Sequence, residues 1–280
     1  MATVTFGIMP SVDFYGEYTV IASDGPQPSI EIHADHLTRC IVAAFQNDVE
    51  VMRKLYTSDV GYESTGLTAS IQLTDGQTYS IVIYMDNNKD YIDVTDLTAI
   101  TLNRDGYILD GDPQIFSADK FDITVTEDTS RGVKVFRRYC RISFMDTNPT
   151  SKIDRKVYAV NGYVNYEFNA YSGETTDAGT DYSFTNTSIA MLTSSKQSKS
   201  FILTSYSSEE PVKQQNISNT LIDRNYRVNV YWSSAARKSV DLTTLSGWSG
   251  LATGKHAMTV VAKANGYRNS DPSKAVSVTK

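Results

Sequence analysis

Apolar residues in this chain recur at every second position, a period that builds strands and does not build an amphipathic helix. The clearest stretch is 67–85, where Leu67, Ala69, Ile71 and Leu73 alternate with Thr68, Ser70, Gln72 and Thr74. Asp75-Gly76 follows, and residues 78–85 read as the return strand. An Asp-Gly pair between alternating runs predicts a hairpin, because its turn needs positive φ angles. The ring residues, 18 Tyr and 10 Phe against 2 Trp, suit a half-buried pleated surface.

Further strands are expected at 3–9, 38–45, 121–127, 133–144, 157–169, 201–206, 224–232, 256–264 and 275–279. Residues 47–56 fit either a short helix (Val49, Met52, Tyr56) or a strand (Val49, Val51, Leu55), and 94–100 has room for a helical turn capped by Thr95 or Asp96. Polar turns separate these runs without long helices between them, which argues for sandwiches over a parallel α/β sheet. The expected fold is all-β, with tandem β-sandwich lobes at 1–128 and 129–232 and a short β segment at 233–280.

The formal net charge of -6 repels phosphate backbones, so nucleic acid is not expected as a partner. No apolar run approaches the ~20 residues of a membrane-spanning helix, so no membrane insertion is expected. Met1 opens directly into strand-like sequence without a basic or apolar leader, and no export signal is expected. Cys40 and Cys140 lie far apart; a disulfide between them is open, but two buried thiols acting as small hydrophobes are expected.

Leu73, Gly76 and Tyr79 have the Leu-x-x-Gly-x-x-Tyr spacing of a tyrosine corner, in which the ring fills the core and the hydroxyl bonds back to the backbone. Leu251, Gly254 and Ala257 repeat the spacing without the Tyr. His33 and His36, flanked by Glu31 and Asp35, form a ligand-like cluster that converges only in a loop, since i and i+3 oppose each other on a strand. Asp86, Asn88 and Asp90 begin like a calcium loop, but Tyr91 and Leu97 stand where Gly and Glu belong, so a polar turn is expected. Cys40 has His36 nearby in sequence but no orienting third group. No nucleophile elbow or phosphate-cradling glycine loop occurs. No residue is therefore assigned to catalysis, to a cofactor or to a metal, and the chain is not expected to be an enzyme. Arg131, Lys134, Arg137, Arg138 and Arg141 crowd one short stretch. They read as the solvated face of a strand, with a docking face for an acidic partner or for another copy of the chain as the alternative.

Three segments carry a resemblance: 76–84 with 96–100, the run Val133 to Ile142, and Leu221-Ile-Asp-Arg224-Asn225-Tyr226-Arg227-Val-Asn229-Val230. In that order they resemble the fimbrillin-like surface proteins of gut Bacteroidales, whose two-lobed, fimbrillin/transthyretin-like sandwiches serve as surface lipoproteins and pilus components. The third segment is similar to that family's closing Arg-Asn-Tyr-Arg strand. That family's members begin with a lipoprotein signal, which is not expected here, and Cys40 has no apolar stretch before it to make it a lipobox cysteine. The segment 251–278 is similar to the last strands of fibronectin-type modules in bacteriophage tail and fibre proteins, but 233–280 is too short for a whole module.

The resemblance implies a non-enzymatic structural or adhesive protein. The first expectation is a virion surface subunit, a head fibre or decoration protein of a phage infecting gut Bacteroidales. The alternatives are a fimbrillin-like adhesin or pilus subunit on the bacterial outer surface, and a carbohydrate-binding module. Expected partners are further copies of the chain in a homo-oligomer, other virion or fimbrial proteins, and cell-surface glycan. Self-association is expected from the incomplete C-terminal segment, whose strands alone would leave unpaired edges, with completion by the second lobe of the same chain as the alternative.

Overall fold

The computed structural model describes residues 1–11, 13–23, 27, 37–57, 66–87, 90–102, 114–161, 165–177, 181–235, 253–258 and 276–279. The described residues form strands and turns and contain no helix. The first strands are β1 (Ala2–Pro10), β2 (Gly16–Ile21), β3 (Arg39–Gln46), β4 (Val49–Tyr56), β5 (Leu67–Leu73), β6 (Thr78–Asp86), β7 (Ile92–Asp93) and β8 (Ile100–Leu102). Then come β9 (Ile115–Ser117), β10 (Phe121–Thr124), β11 (Thr129–Arg137), β12 (Tyr139–Asp146), β13 (Arg155–Asn161), β14 (Asn165–Phe168) and β15 (Thr175–Asp177). The last are β16 (Tyr182–Phe184), β17 (Ser188–Leu192), β18 (Gln197–Ser207), β19 (Glu210–Ile222), β20 (Tyr226–Trp232), β21 (Lys255–Met258) and β22 (Val276–Thr279).

The ambiguous stretch 47–56 is a strand. Asn47 and Asp48 both take positive φ (50° and 63°), the turn that joins β3 to β4 with Gln46 opposite Val49. At 94–100 a single turn forms. The Asp96 carboxylate accepts from the Thr98 N–H and hydroxyl, both at 2.7 Å, so Asp96 caps a turn that never becomes a helix.

An eight-stranded sheet in the order β4-β3-β6-β9-β11-β1-β5, with β10 on β6, curls around the first core. Val4, Phe6 and Ile8 of β1 meet Val42, Ala69, Ile71, Ile81 and Ile83 there. The outer strands of that order approach each other through Tyr56, whose hydroxyl donates to the Ser70 carbonyl (2.8 Å) and accepts from the Ser70 N–H (2.7 Å). The expected hairpin at Asp75-Gly76 does not form: β5 pairs with β1, and β6 with β3, β9 and β10. Gly76 does take positive φ (77°), but its N–H goes to the Val125 carbonyl (2.7 Å), and the turn crosses between separated strands. The tyrosine-corner geometry fits that crossing. Tyr79 is buried and its hydroxyl accepts from the Thr74 N–H at 3.3 Å.

β3 and β6 read as nearly continuous apolar runs because both their faces are covered. Ile41, Ala43, Phe45, Val82 and Tyr84 point away from the first core into another, shared with Leu97, Ile100, Phe168, Tyr139, Ala190 and Leu192. The sheet β15-β14-β8-β7 contributes to that core, as do β12 and β17.

The second lobe is a sandwich of β17-β12-β20-β2 on β16-β13-β18-β19. Its core gathers Ile142, Phe144, Tyr158, Phe201, Leu203, Val228, Val230 and Trp232, with Phe144 stacked on Tyr158 at 4.6 Å. The boundary expected after residue 128 falls at the first residue of β11, and pairing crosses it in both directions. β11 pairs with β1, β2 pairs with β20, and β14 pairs with β8. The single strand expected at 133–144 is two, β11 and β12, which part at Arg138 into different sheets.

Residues Met1–Ala236 are one compact unit and Arg237–Lys280 another. In the second, β21 and β22 pair antiparallel from Lys255↔Thr279 to Met258↔Val276. Val260, Ala262 and the rest of the expected strand beyond 258 lie outside the described residues.

Candidate functional site

The basic stretch is not a solvated face. Arg131 and Lys134 are exposed, but Arg137, Arg138 and Arg141 are only 2%, 1% and 7% exposed. The reason is the break at Arg138. Its N–H donates to Ile115 (2.8 Å) and its carbonyl accepts from Thr193 (3.1 Å), which turns the side chain inward between the lobes. A buried guanidinium needs partners. Nε donates to Ser117 Oγ (2.5 Å) and Nη2 to the Ser117 carbonyl (3.0 Å) and to Asp119 Oδ1 (2.9 Å). Arg224 Nη1 reaches the same carboxylate oxygen at 3.1 Å. Burial works against the charge on Asp119, yet Arg138, then Arg224, hold its carboxyl below the ordinary carboxylate range. Burial in turn lowers the Arg138 pKa, with Asp119 opposing.

The Arg-Asn-Tyr-Arg segment organises the same junction. Asn225 is fully buried with φ of 58°. Its N–H donates to Tyr139 (3.0 Å), its carbonyl accepts from Tyr15 (2.8 Å), and Nδ2 donates to the Asp13 carbonyl (3.2 Å). Its Oδ1 accepts from Arg137 Nη1 at 3.4 Å. Tyr226 stacks on Tyr18 (5.0 Å, 12°) and meets Tyr15 edge-on (6.2 Å, 70°). Phe14 carries the guanidinium groups of Arg137 (4.3 Å) and Arg227 (4.6 Å). Tyr15 itself is 52% exposed and lies within electrostatic reach of Arg224 and Asp119.

Beside these residues opens a cleft of about 500 Å³, lined by Asp119, Ser172, Gly173, Glu174, Ser194, Ser195, Lys196, Asp223 and Arg224. Its walls are turns braced from within. In one, Asn169 Oδ1 accepts from the N–H groups of Tyr171 (2.9 Å) and Ser172 (2.8 Å), and Gly173 N–H closes on the Asn169 carbonyl (2.8 Å). Gly173 has φ of 79°, and a Cβ there would lie 4.0 Å from the Arg138 guanidinium, so that wall rests on the buried arginine. In the other, Thr193 Oγ1 donates to the Ser195 carbonyl (2.7 Å) and accepts from Gln197 Nε2 (2.8 Å). Lys196 Nζ sits 5.7 Å over the Tyr18 ring, joining this wall to the tyrosines. The cleft is therefore preformed, and its groups are hydrogen-bond donors and acceptors of nearly balanced charge.

Of the residues weighed in the sequence, Arg138 and Arg224 meet here. Asp119, Glu174, Lys196 and Asp223 carry no local motif, and the sequence offers no signal that joins them. Glu31, His33, Asp35, His36 and Asn88 lie outside the described residues. Asp86 is fully buried and bound by Arg39 through Nε–Oδ1 (2.8 Å) and Nη2–Oδ2 (2.5 Å), which makes it half of a structural ion pair. Among the described residues no group of three or more His, Cys, Asp or Glu side chains is placed to hold a metal. Cys40 and Cys140 are free and buried, and burial pushes both thiols up to about 12.

Comparison with solved structures places the fold beside that of a provisionally assigned polysaccharide-binding protein (DUF1812) from Bacteroides thetaiotaomicron. The TM-score is 0.52 at 11% identity, over 83% of this chain and 92% of that one. A provisionally assigned cell adhesion protein from Bacteroides uniformis matches with a TM-score of 0.49 at 12% identity, over 78% and 93%. A fimbrial assembly protein from Parabacteroides distasonis matches with 0.45 at 14%, over 83% and 91%. No curated protein matches by sequence. The model of a protein family described as of unknown function matches residues 19–231, a span that begins within β2, leaves out β1 and includes the Arg-Asn-Tyr-Arg segment, and the chain belongs to that family, DUF6562.

Proposed function

We propose that the protein is a non-enzymatic, adhesin-like component of a bacterial cell surface that works by binding and assembly. The observation that carries this reading is the preformed cleft, whose carboxylate Asp119 is held ionised between Arg138 and Arg224. A general acid or base at neutral pH needs a pKa near 7, and this one is driven the other way. The buried thiols of Cys40 and Cys140, at about 12, stay protonated and are poor nucleophiles. What the cleft offers is fixed polar recognition on a rigid support. The fold shared with a protein provisionally assigned to polysaccharide binding supports a glycan as its partner. The resemblance to fimbrillin-like proteins supports the bacterial surface and assembly with further copies.

This reading stands ahead of a virion fibre or decoration subunit because its support spans both lobes. The virion reading rests on the start of the chain and on 233–280. Immunolabelling of intact producing cells, alongside purified phage particles from the same culture, tests it. Labelled cell surfaces are expected; label confined to virions would reverse the order of the two readings.

A further inference from the structure

The lining of the cleft narrows what it can hold. None of its residues is aliphatic or aromatic, so an apolar ligand would bury little hydrophobic surface there. Three carboxylates (Asp119, Glu174, Asp223) face two cations (Lys196, Arg224), and the buried guanidinium of Arg138 lies behind Asp119 and Gly173. These charges cancel. A phosphate or polyanion would have to compete with Asp119 for Arg224, and a metal ion would meet a carboxylate already shared by two guanidinium groups. A ligand rich in hydroxyls fits, because each hydroxyl both donates and accepts. Carboxylates accept from it, while the ammonium, guanidinium and serine groups donate to it. Tyr15, whose backbone N–H donates to the carbonyl of Asn225 (2.8 Å), the neighbour of Arg224 in sequence, adds a half-exposed ring, a face on which the C–H side of a sugar ring can rest. The volume lies in the range of small-ligand sites, about 300–1,000 Å³.

We infer that this cleft binds a neutral oligosaccharide segment, with Glu174, Lys196, Asp223 and Arg224 bonding its hydroxyls and Tyr15 stacking at the rim. The inference rests on the binding role proposed above and names its ligand class. Affinity electrophoresis of the full chain tests it, in gels containing soluble mannan, xylan, galactomannan or β-glucan, with polygalacturonate as the anionic contrast. Retardation by at least one neutral polymer is expected. Glu174→Ala and Lys196→Ala, both at exposed positions, should each weaken it about tenfold, and Tyr15→Ala should weaken it too. Val51→Ser on β4 should leave retardation unchanged, and thermal midpoints within error of the parent confirm folding of each variant. The inference is overturned by no retardation in any neutral polymer, by equal retardation of the parent and the cleft variants, or by retardation in polygalacturonate alone. If it fails while cell surfaces still label, the adhesin role stands with another ligand. If binding holds and the label is confined to virions, the site stands and the cellular location falls.

Discussion

Tyr226 covers Gly16 so closely that a Cβ on Gly16 would lie 2.7 Å from Tyr226 Cε1. The two residues are opposite each other in the parallel β2–β20 register, and the ring is held by Tyr18 and Tyr15. Gly16→Ala must therefore displace a ring that has little room to move, at a cost of about 1–2 kcal/mol. In a Tyr226→Ala background the same substitution should cost almost nothing. A denaturant double-mutant cycle measures the difference, and equal costs in both backgrounds would refute the packing argument.

Asn225 combines a left-handed backbone with side-chain bonds to Arg137 and Asp13. Asn225→Ala removes those bonds and leaves a β-carbon in a conformation it disfavours, an expected loss of about 2–4 kcal/mol. Asn225→Gly relieves the backbone and should lose less. Thermal or urea midpoints rank the two variants; the opposite ranking would mean that the backbone conformation is not the constraint.

Stability should fall in acid partly through Asp119. Burial would raise its pKa, but Arg138 and Arg224 depress it below the unfolded value of about 4. A depressed folded pKa stabilises above the unfolded pKa, and that contribution is lost as pH falls through the folded one. Asp119→Asn should thus lower the denaturation midpoint at pH 7 and converge on the parent near pH 2–3. The side chain is 67% exposed, so screening keeps the gap modest. Asp146, depressed in the same direction despite its burial by Lys156 and Ser234, should leave the variant with residual acid sensitivity. A constant gap across that range would exclude the linkage.

Tyr79→Phe should destabilise by about 0.5–1 kcal/mol, the net worth of one long hydrogen bond at 3.3 Å with the ring's packing retained. Chemical denaturation of the full chain is the measurement. An unchanged midpoint would remove the hydroxyl from the corner's energetics.

The all-β class was legible because strand patterning is local: β1, β5 and β20 lie close to where alternation puts them, and β3 and β6 where short apolar runs between polar turns do. Pairing was not. Asp75-Gly76 reads as a hairpin from its neighbours alone, and only the positions of β1 and β3 decide that β5 and β6 part. β19 escaped because its run from Glu210 to Ile222 is mostly exposed and polar. The basic stretch misled for the opposite reason. Burial of Arg137 and Arg138 depends on Ser117, Asp119 and Asn225, distant positions whose approach no spacing encodes. The Arg-Asn-Tyr-Arg segment was visible as a motif, but its role as the clasp on Tyr15 and Tyr18 was not.

The exchange of strands between lobes has a consequence for how the chain is made. β1 waits for β5 and then for β11, and β2, among the first segments to leave the ribosome, finds β20 only after residue 226 has been synthesised. Pairings of such sequence separation carry the slowest closure, and until then the edges of β2 and β12 stay open to wrong partners. The first lobe cannot be completed during synthesis of its own half, because β1 pairs with β11, and the second closes only with its last strand. The β12–β20–β2 pairing can close only once residues 226–232 exist, so the nascent protein stays unfinished for most of its translation.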